Sequence, residues 1–88
     1  MNCDCCGKSK KLLESYAAVN TSNGPMNLCV KCNDLAYKIR DAANDGNEED
    51  FQKSLKALNA RAKKSSATFK SWKKDYVDTQ AEKLKGRS

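Results

Sequence analysis

Two short stretches, CDCCG at residues 3–7 and LCVKCN at residues 28–33, decide the fold of this chain. Each stretch holds one Cys-x-x-Cys pair. Such a pair places two thiols on one tight turn, and two pairs together can surround a single ion with four sulfur atoms. The four cysteines are Cys3, Cys6, Cys29 and Cys32. We therefore predict that residues 1–33 fold around one metal site.

The residue types at this site indicate zinc with a structural role. Four thiolates are a common tetrahedral ligand set for zinc, and they leave no coordination position open for water. The chain contains no histidine, so a mixed cysteine–histidine site is excluded. Gly7 follows the first pair and lets the backbone turn beneath the ion. We interpret Cys5 as a free thiol beside the site. Free cysteines, an iron–sulfur cluster and a redox pair are the alternatives.

The size and composition of the chain agree with a small domain that needs a metal. A chain of 88 residues has a marginal core and often requires an ion or a partner for stability. Five cysteines cannot be used up by a closed set of disulfides, and close pairs in a reducing compartment favour metal binding. No apolar run is long enough to span a membrane, and Met1–Asp4 shows no signal-peptide pattern. We expect a cytoplasmic protein.

A β-hairpin and a first helix are predicted after the first cysteine pair. An Asn-Gly-Pro turn separates the expected strands Leu13–Asn20 and Met26–Leu28. The first helix is predicted over residues 28–43, with Asn27 as its candidate cap and Gly46 just beyond its end. Spacings of three and four residues place on one helical face Leu28, Cys32, Leu35, Ile39 and Ala42.

A long basic helix is predicted over residues 48–85. Acidic residues occupy its first turn and lysines its far end, as the helix dipole favours. Ser65-Ser66 is the expected place for a bend or break. A four-three repeat runs through Phe51, Leu55, Leu58, Ala62, Ser65, Phe69, Trp72, Tyr76, Thr79 and Lys83. The first helix is too short to cover the aromatic end of this repeat. Those aromatics must pack on the metal lobe, on a second copy in a homodimer, or on a partner.

The predicted fold is therefore mainly α, with a small treble-clef-like zinc lobe followed by a helical hairpin. A resemblance accompanies this arrangement, and it rests on Cys3, Cys6, Gly7, Lys10, Leu12, Tyr16, Gly24, Leu28, Cys29, Cys32 and Asn33. This frame is similar to zinc modules of bacteriophage proteins and to the zinc-binding part of the recombination endonuclease VII family. It covers about a third of the chain.

The resemblance implies a scaffold without catalysis. The nuclease family uses an Asp-His or His-Asn-His element to bind its catalytic metal, and this chain has no histidine. No serine nucleophile motif or phosphate-binding loop is present either. We therefore expect a non-catalytic, phage-type zinc module, which would act in the host cytoplasm if the chain is phage-encoded.

The charge of the chain is unevenly distributed. Residues 1–50 carry six Lys/Arg and eight Asp/Glu, whereas residues 51–88 carry eleven and three. Lysines surround the aromatics of the predicted long helix, a pattern that suits phosphate contacts and base stacking. A solvated helix face for the lysines and core packing for the aromatics are the alternatives. The candidate contact residues are Lys63, Lys64, Phe69, Lys70, Trp72, Lys73, Lys74 and Tyr76.

Two functions are compatible with these patterns. The first is a regulator that binds DNA or RNA, or the transcription machinery, through the basic helix. The second is a small adaptor or inhibitor that docks the stripe Phe69–Tyr76 into a groove of a host protein, such as a component of the transcription machinery. The predicted zinc lobe serves as the rigid base in both cases.

Overall fold

The computed structural model describes residues 1–87 and shows a two-stranded hairpin followed by helices. This confirms the mainly helical fold with a small N-terminal cysteine lobe. In chain order the elements are β1 (Ala17–Thr21), β2 (Gly24–Leu28), α1 (Val30–Asp45), α2 (Glu48–Arg61), the 3₁₀ turn (Ala62–Lys64) and α3 (Ala67–Arg87).

The hairpin β1–β2 is antiparallel and closes through a two-residue loop. Thr21 pairs with Gly24, and Ala17 pairs with Leu28 at the open end. Gly24 has a φ of 111°, a region that favours glycine, so the chain reverses there without strain on a side chain. The predicted first strand began too early, because β1 starts at Ala17.

Helix α1 begins directly after β2, at the second cysteine pair. The predicted cap Asn27 lies in β2 instead, where its N–H donates to Asp4 Oδ2 at 2.6 Å. Cys29 occupies the N-cap position without a side-chain cap. The helix runs Val30–Asp45 and is shifted by two residues from the predicted bounds 28–43. Gly46 does lie just beyond its end as predicted: it has a φ of 69° and donates to Ala43 O, as in a Schellman motif.

The single helix predicted over 48–85 is divided into α2 and α3 at Ser65–Ser66, the expected place for a break. Ser65 is extended, with a ψ of 147°. The Ser66 hydroxyl accepts a hydrogen bond from the Phe69 N–H at 3.1 Å, as an N-cap does. The Ser66 N–H donates to Asp4 O at 2.8 Å, which fixes the break against the first cysteine turn. The chain reverses here, and α3 packs beside α1.

The aromatics of α3 pack within the molecule. Phe69 is fully buried in a core shared with Ile39 and Leu58. Trp72 stacks on Tyr76 with ring centroids 4.6 Å apart, and the Tyr76 hydroxyl donates to Ala36 O at 2.6 Å. The expectation of an exposed docking side chain is therefore wrong for Phe69. A homodimer through this stripe stays a prediction. The prediction assumed that the first helix leaves the aromatics uncovered, whereas they pack within the chain.

Candidate metal centre

The first cysteine pair lies on a tight turn closed by the backbone. The Gly7 N–H donates to Cys3 O at 2.9 Å, and the Cys3 N–H donates to Lys8 O at 2.8 Å. Gly7 has a φ of 76°, and a Cβ added there would lie 3.1 Å from the Lys64 Cβ. The backbone conformation at this position favours glycine, and a side chain here would also press against Lys64.

The second pair lies at the junction of the hairpin and α1. Cys29 follows β2 immediately, and Cys32 sits in the first turn of the helix. The Cys29 N–H donates to Cys3 Sγ at 3.3 Å, which joins the two pairs directly. Helix N-termini stabilise thiolates through their unpaired N–H groups and dipole.

The four predicted cysteines come together as one cluster. Their sulfur atoms all lie within 4.8 Å of one another, and Cys6 Sγ is 3.7 Å from Cys29 Sγ. Four sulfur atoms about 2.3 Å from a central ion, at tetrahedral angles, are about 3.8 Å apart. The cluster therefore fits a tetrahedral metal ion. Three members are buried and Cys6 is half-buried, so an ion would be shielded from solvent.

Arg61, at the end of α2, lies against this cluster, although no sequence pattern pointed to it. Its Nε donates to Cys32 Sγ at 3.4 Å, and its terminal nitrogen lies 4.0 Å from both Cys6 Sγ and Cys29 Sγ. The sulfur atoms of Cys32 and Cys29 raise the pKa of Arg61 further, so the guanidinium stays charged. The site thus has a fixed positive charge beside its sulfur ligands.

The thiols experience opposing influences in the protein. Burial raises the pKa of Cys3 to about 12. The pKa of Cys32 is also raised, first by its hydrogen bond with the Cys5 side chain and then by burial. The pKa of Cys29 is lowered to about 7, because hydrogen bonds from the Cys32 backbone and the neighbouring thiols outweigh the effect of burial. Of Cys3, Cys29 and Cys32, Cys29 is therefore the one that most readily loses its proton.

Cys5 lies beside the cluster rather than in it. Its side chain is fully buried and contacts Cys32, but it is not one of the four mutually close sulfur positions. Among residues 1–87 all five cysteines are free of disulfides. The placement of Cys5 agrees with the interpretation of a free thiol next to the site.

The lysines singled out in the sequence remain at the surface. Lys63, Lys64, Lys70 and Lys74 are exposed. Lys73 is half-buried and donates from Nζ to Asn59 Oδ1 at 2.6 Å. The structure thus separates the candidate contact residues into exposed lysines and packed aromatics.

These features define a small helical module with four cysteines placed to hold a metal ion. No protein family, curated protein or solved structure matches the chain. The resemblance of residues 3–33 to phage zinc modules therefore stays a prediction from the cysteine frame. Within the described part of the chain, no helix has the length and hydropathy needed to cross a bilayer.

Proposed function

We propose that the chain is a non-catalytic zinc-binding module that contacts the phosphate backbone of nucleic acid through a lysine-rich surface. Zinc is the proposed ion because four sulfur ligands with a tetrahedral spacing suit it. The structural role follows from the closed ligand set, since four thiolates leave no position for a reacting water. Cys5 is buried and supplies no accessible nucleophile.

One contact carries the proposal of a nucleic-acid surface. The Lys64 side chain lies directly over Gly7, so the basic run 63–64 is adjacent to the run 8–11 at the first cysteine turn. These runs are more than fifty residues apart in the sequence. The lysines of the two runs are all exposed, and we propose that they act as one basic surface, which we call the knuckle surface: Lys8, Lys10, Lys11, Lys63 and Lys64. A surface of this kind favours polyanions such as nucleic acids.

The packing of the aromatics limits what this surface recognises. Phe69 lies in the core, and Trp72 and Tyr76 are half-buried and stack on each other, which leaves little ring surface for stacking with bases. The remaining contacts are lysine–phosphate contacts, which position a protein without reading sequence. We therefore propose binding that depends strongly on salt and weakly on sequence. A phage-type regulator acting near the transcription machinery is the context that the resemblance suggests.

The alternative of an adaptor gripping a host protein loses its original support. That hypothesis required the stripe Phe69–Tyr76 to be free for docking. Phe69 is fully buried, and the Tyr76 hydroxyl is bonded to Ala36 O in α1. Nucleic-acid binding is the function that the exposed lysines favour.

The test is fluorescence anisotropy with a labelled duplex DNA, a single strand and an RNA hairpin, at salt concentrations from about 50 to 200 mM. The zinc-loaded wild type should bind, with affinity falling steeply as salt rises. Lys63→Gln/Lys64→Gln should weaken binding and reduce the slope of log K against log salt by about 0.9 for each phosphate that is no longer neutralised. The matched control is Lys53→Gln/Lys56→Gln, which removes the same charge from exposed positions on α2.

Zinc content and circular dichroism of each variant establish that the fold is retained. Absence of binding to all three probes at the lowest salt would contradict the proposal. An equal loss of affinity in Lys63→Gln/Lys64→Gln and in Lys53→Gln/Lys56→Gln would also contradict the proposal. Affinity would then depend on net charge and not on the knuckle surface.

A further inference from the structure

A β-turn next to the knuckle surface holds two leucines in solvent. The Glu14 N–H donates to Lys11 O at 3.1 Å, which closes the turn around Leu12 and Leu13. The Glu14 carboxylate accepts from the Lys11 N–H at 3.0 Å and pairs with Lys8 Nζ at 3.2 Å. Three interactions therefore fix a turn whose two central residues are both leucine.

The exposure of these leucines is unusual for their type. Leu12 is 94% exposed and Leu13 is 96% exposed. Central turn positions ordinarily carry glycine, proline or polar residues, and the closing hydrogen bonds here are made by Lys11, Glu14 and Lys8. Nothing in the packing of the turn calls for two leucines. An exposed apolar element of this kind indicates an interaction site.

The charge around the turn specifies the chemistry of the partner. Lys10 and Lys11 immediately precede the leucines, and both are exposed. The Lys10 N–H donates to Met1 O at 2.9 Å, which ties this basic segment to the first cysteine turn. A partner that contacts both the lysines and the leucines must therefore carry negative charge directly beside an apolar region. Duplex DNA meets both conditions, with phosphates beside stacked bases.

We propose that Leu12 and Leu13 form an apolar wedge that enters the minor groove of duplex DNA and inserts at a base-pair step, while Lys10 and Lys11 contact the flanking phosphates. Apolar wedges of this kind partly unstack the step and bend the duplex. This inference rests on the proposed function, because the turn extends the same basic surface. It adds a preferred substrate: a duplex with easily unstacked pyrimidine–purine steps such as TA.

The size of the apolar tip favours a base step over a lipid surface. Binding in a bilayer interface grows with apolar area, as in amphipathic helices that bury a whole face. Here the apolar tip comprises Leu12 and Leu13, with Met1 joined to the same segment through its backbone. The other large apolar residues exposed in the described chain, Val30 and Tyr37, belong to α1. A narrow tip on a fixed turn suits a narrow opening between two base pairs.

The experiment uses the full zinc-loaded chain and a duplex with 2-aminopurine at a central TA step. The wild type should raise the 2-aminopurine fluorescence, since the probe brightens when it is unstacked. Leu12→Ser/Leu13→Ser should abolish this rise and lower affinity by about tenfold or more, while keeping the salt dependence. Both leucines are exposed, so the variant should fold; zinc content checks this. Tyr37→Ser, which removes an exposed large side chain from α1 away from the cysteines, is the matched control.

The outcomes separate this inference from the proposed function. Binding with no fluorescence change, and equal affinity of wild type and Leu12→Ser/Leu13→Ser, would overturn the wedge and leave phosphate binding intact. Absence of any DNA binding by the wild type would overturn both. Leucine-dependent sedimentation with phosphatidylglycerol vesicles, without a 2-aminopurine signal, would assign the turn to a lipid surface and overturn the wedge.

Discussion

Arg61 joins the metal site to the helical part of the molecule. Its guanidinium reaches the sulfur atoms of Cys32, Cys6 and Cys29 at 3.4, 4.0 and 4.0 Å. A divalent ion held by four thiolates carries a net charge of about −2. A fixed cation beside it offsets part of that charge and donates hydrogen bonds to the ligands. Groups that orient metal ligands in this way are important for metal affinity.

Replacement of Arg61 by glutamine should weaken metal binding while the four ligands stay in place. We expect a decrease of about 10- to 100-fold in zinc affinity, the range typical of groups that support metal ligands. Competition with a chromophoric chelator measures this affinity. Arg40→Gln is the matched control, because Arg40 is exposed on α1 and pairs with Asp41. Equal zinc affinity of Arg61→Gln and Arg40→Gln would show that Arg61 does not support the ligands.

The ligands could be found from sequence, but their supporting residue could not. A CxxC spacing is a local signal, because two residues between thiols already define a chelating turn. Arg61 lies 29 residues beyond Cys32, and its contact depends on where α2 ends after the chain has reversed at Gly46. Arg61 is the only arginine among the cations of residues 53–85, but nothing near it in the sequence points to the cysteines.

At the scale of elements, α3 packs against α1. The sequence alone leaves open whether the aromatics of α3 face solvent or a partner. The Tyr76 hydroxyl donates to Ala36 O, and the ring stacks on Trp72. From Phe51 to Tyr76 the repeat marks buried or half-buried positions, but its last two members, Thr79 and Lys83, are exposed. A heptad pattern also does not reveal which surface buries it. The break at Ser65–Ser66 determines which surface buries the aromatics of α3, because it turns α3 back onto α1 and the hairpin.

Tyr76→Phe should lower the free energy of unfolding by about 1 kcal/mol at neutral pH, the usual contribution of one hydrogen bond. Burial raises the pKa of Tyr76, so the folded state keeps the proton at pH values where the unfolded chain loses it. Its contribution is complete below the unfolded pKa, near 10, and declines as pH rises through the folded pKa. The difference between wild type and variant should therefore shrink above about pH 10.

Urea unfolding at pH 7 and at alkaline pH measures both parts of this prediction. Tyr37→Phe serves as control, because Tyr37 is exposed on α1 and should change stability little. A difference between Tyr76→Phe and wild type that stays constant or grows with pH would contradict the assigned role of the hydroxyl.

At the scale of the whole molecule, the metal lobe and the helices share one core. Buried residues of the hairpin, Met26 and Leu28, belong to the same cluster as Phe51, Leu58 and Phe69. Asp4 adds a direct link: its backbone oxygen accepts from Ser66 N–H, and its carboxylate accepts from Asn27 N–H. Disturbance of the cysteine lobe must therefore reach the helices.

Removal of the metal should unfold residues 1–33 and lower the melting temperature of the entire chain. Without an ion, the lobe no longer has the link that holds its two turns together. Trp72 should report the change, because it lines a cavity with Val19 and Leu28 of the hairpin. Thermal unfolding followed by tryptophan fluorescence, before and after chelation, measures it. Zinc should restore the curve and magnesium should not; an unchanged curve after verified metal removal would refute the prediction.

The basic surface shows where sequence reasoning stops at this scale. Composition located the positive charge in the second half of the chain, and the cysteine spacing located the metal lobe. The contact of Lys64 with Gly7 could not be anticipated, because it requires the helix break and the first cysteine turn to meet. The turn around Leu12 and Leu13 gave no signal either, since an exposed and a buried leucine look alike in a sequence.

The order of the ligands along the chain has a consequence for biosynthesis. All four cysteines precede residue 33, whereas Arg61 and Ser66 come much later. A nascent chain on the ribosome therefore possesses a full set of sulfur ligands before α2 and α3 have been translated. Capture of the ion can come first, and the later helices then fold onto a lobe that is already formed, with the Asp4 carbonyl in place to accept the Ser66 N–H.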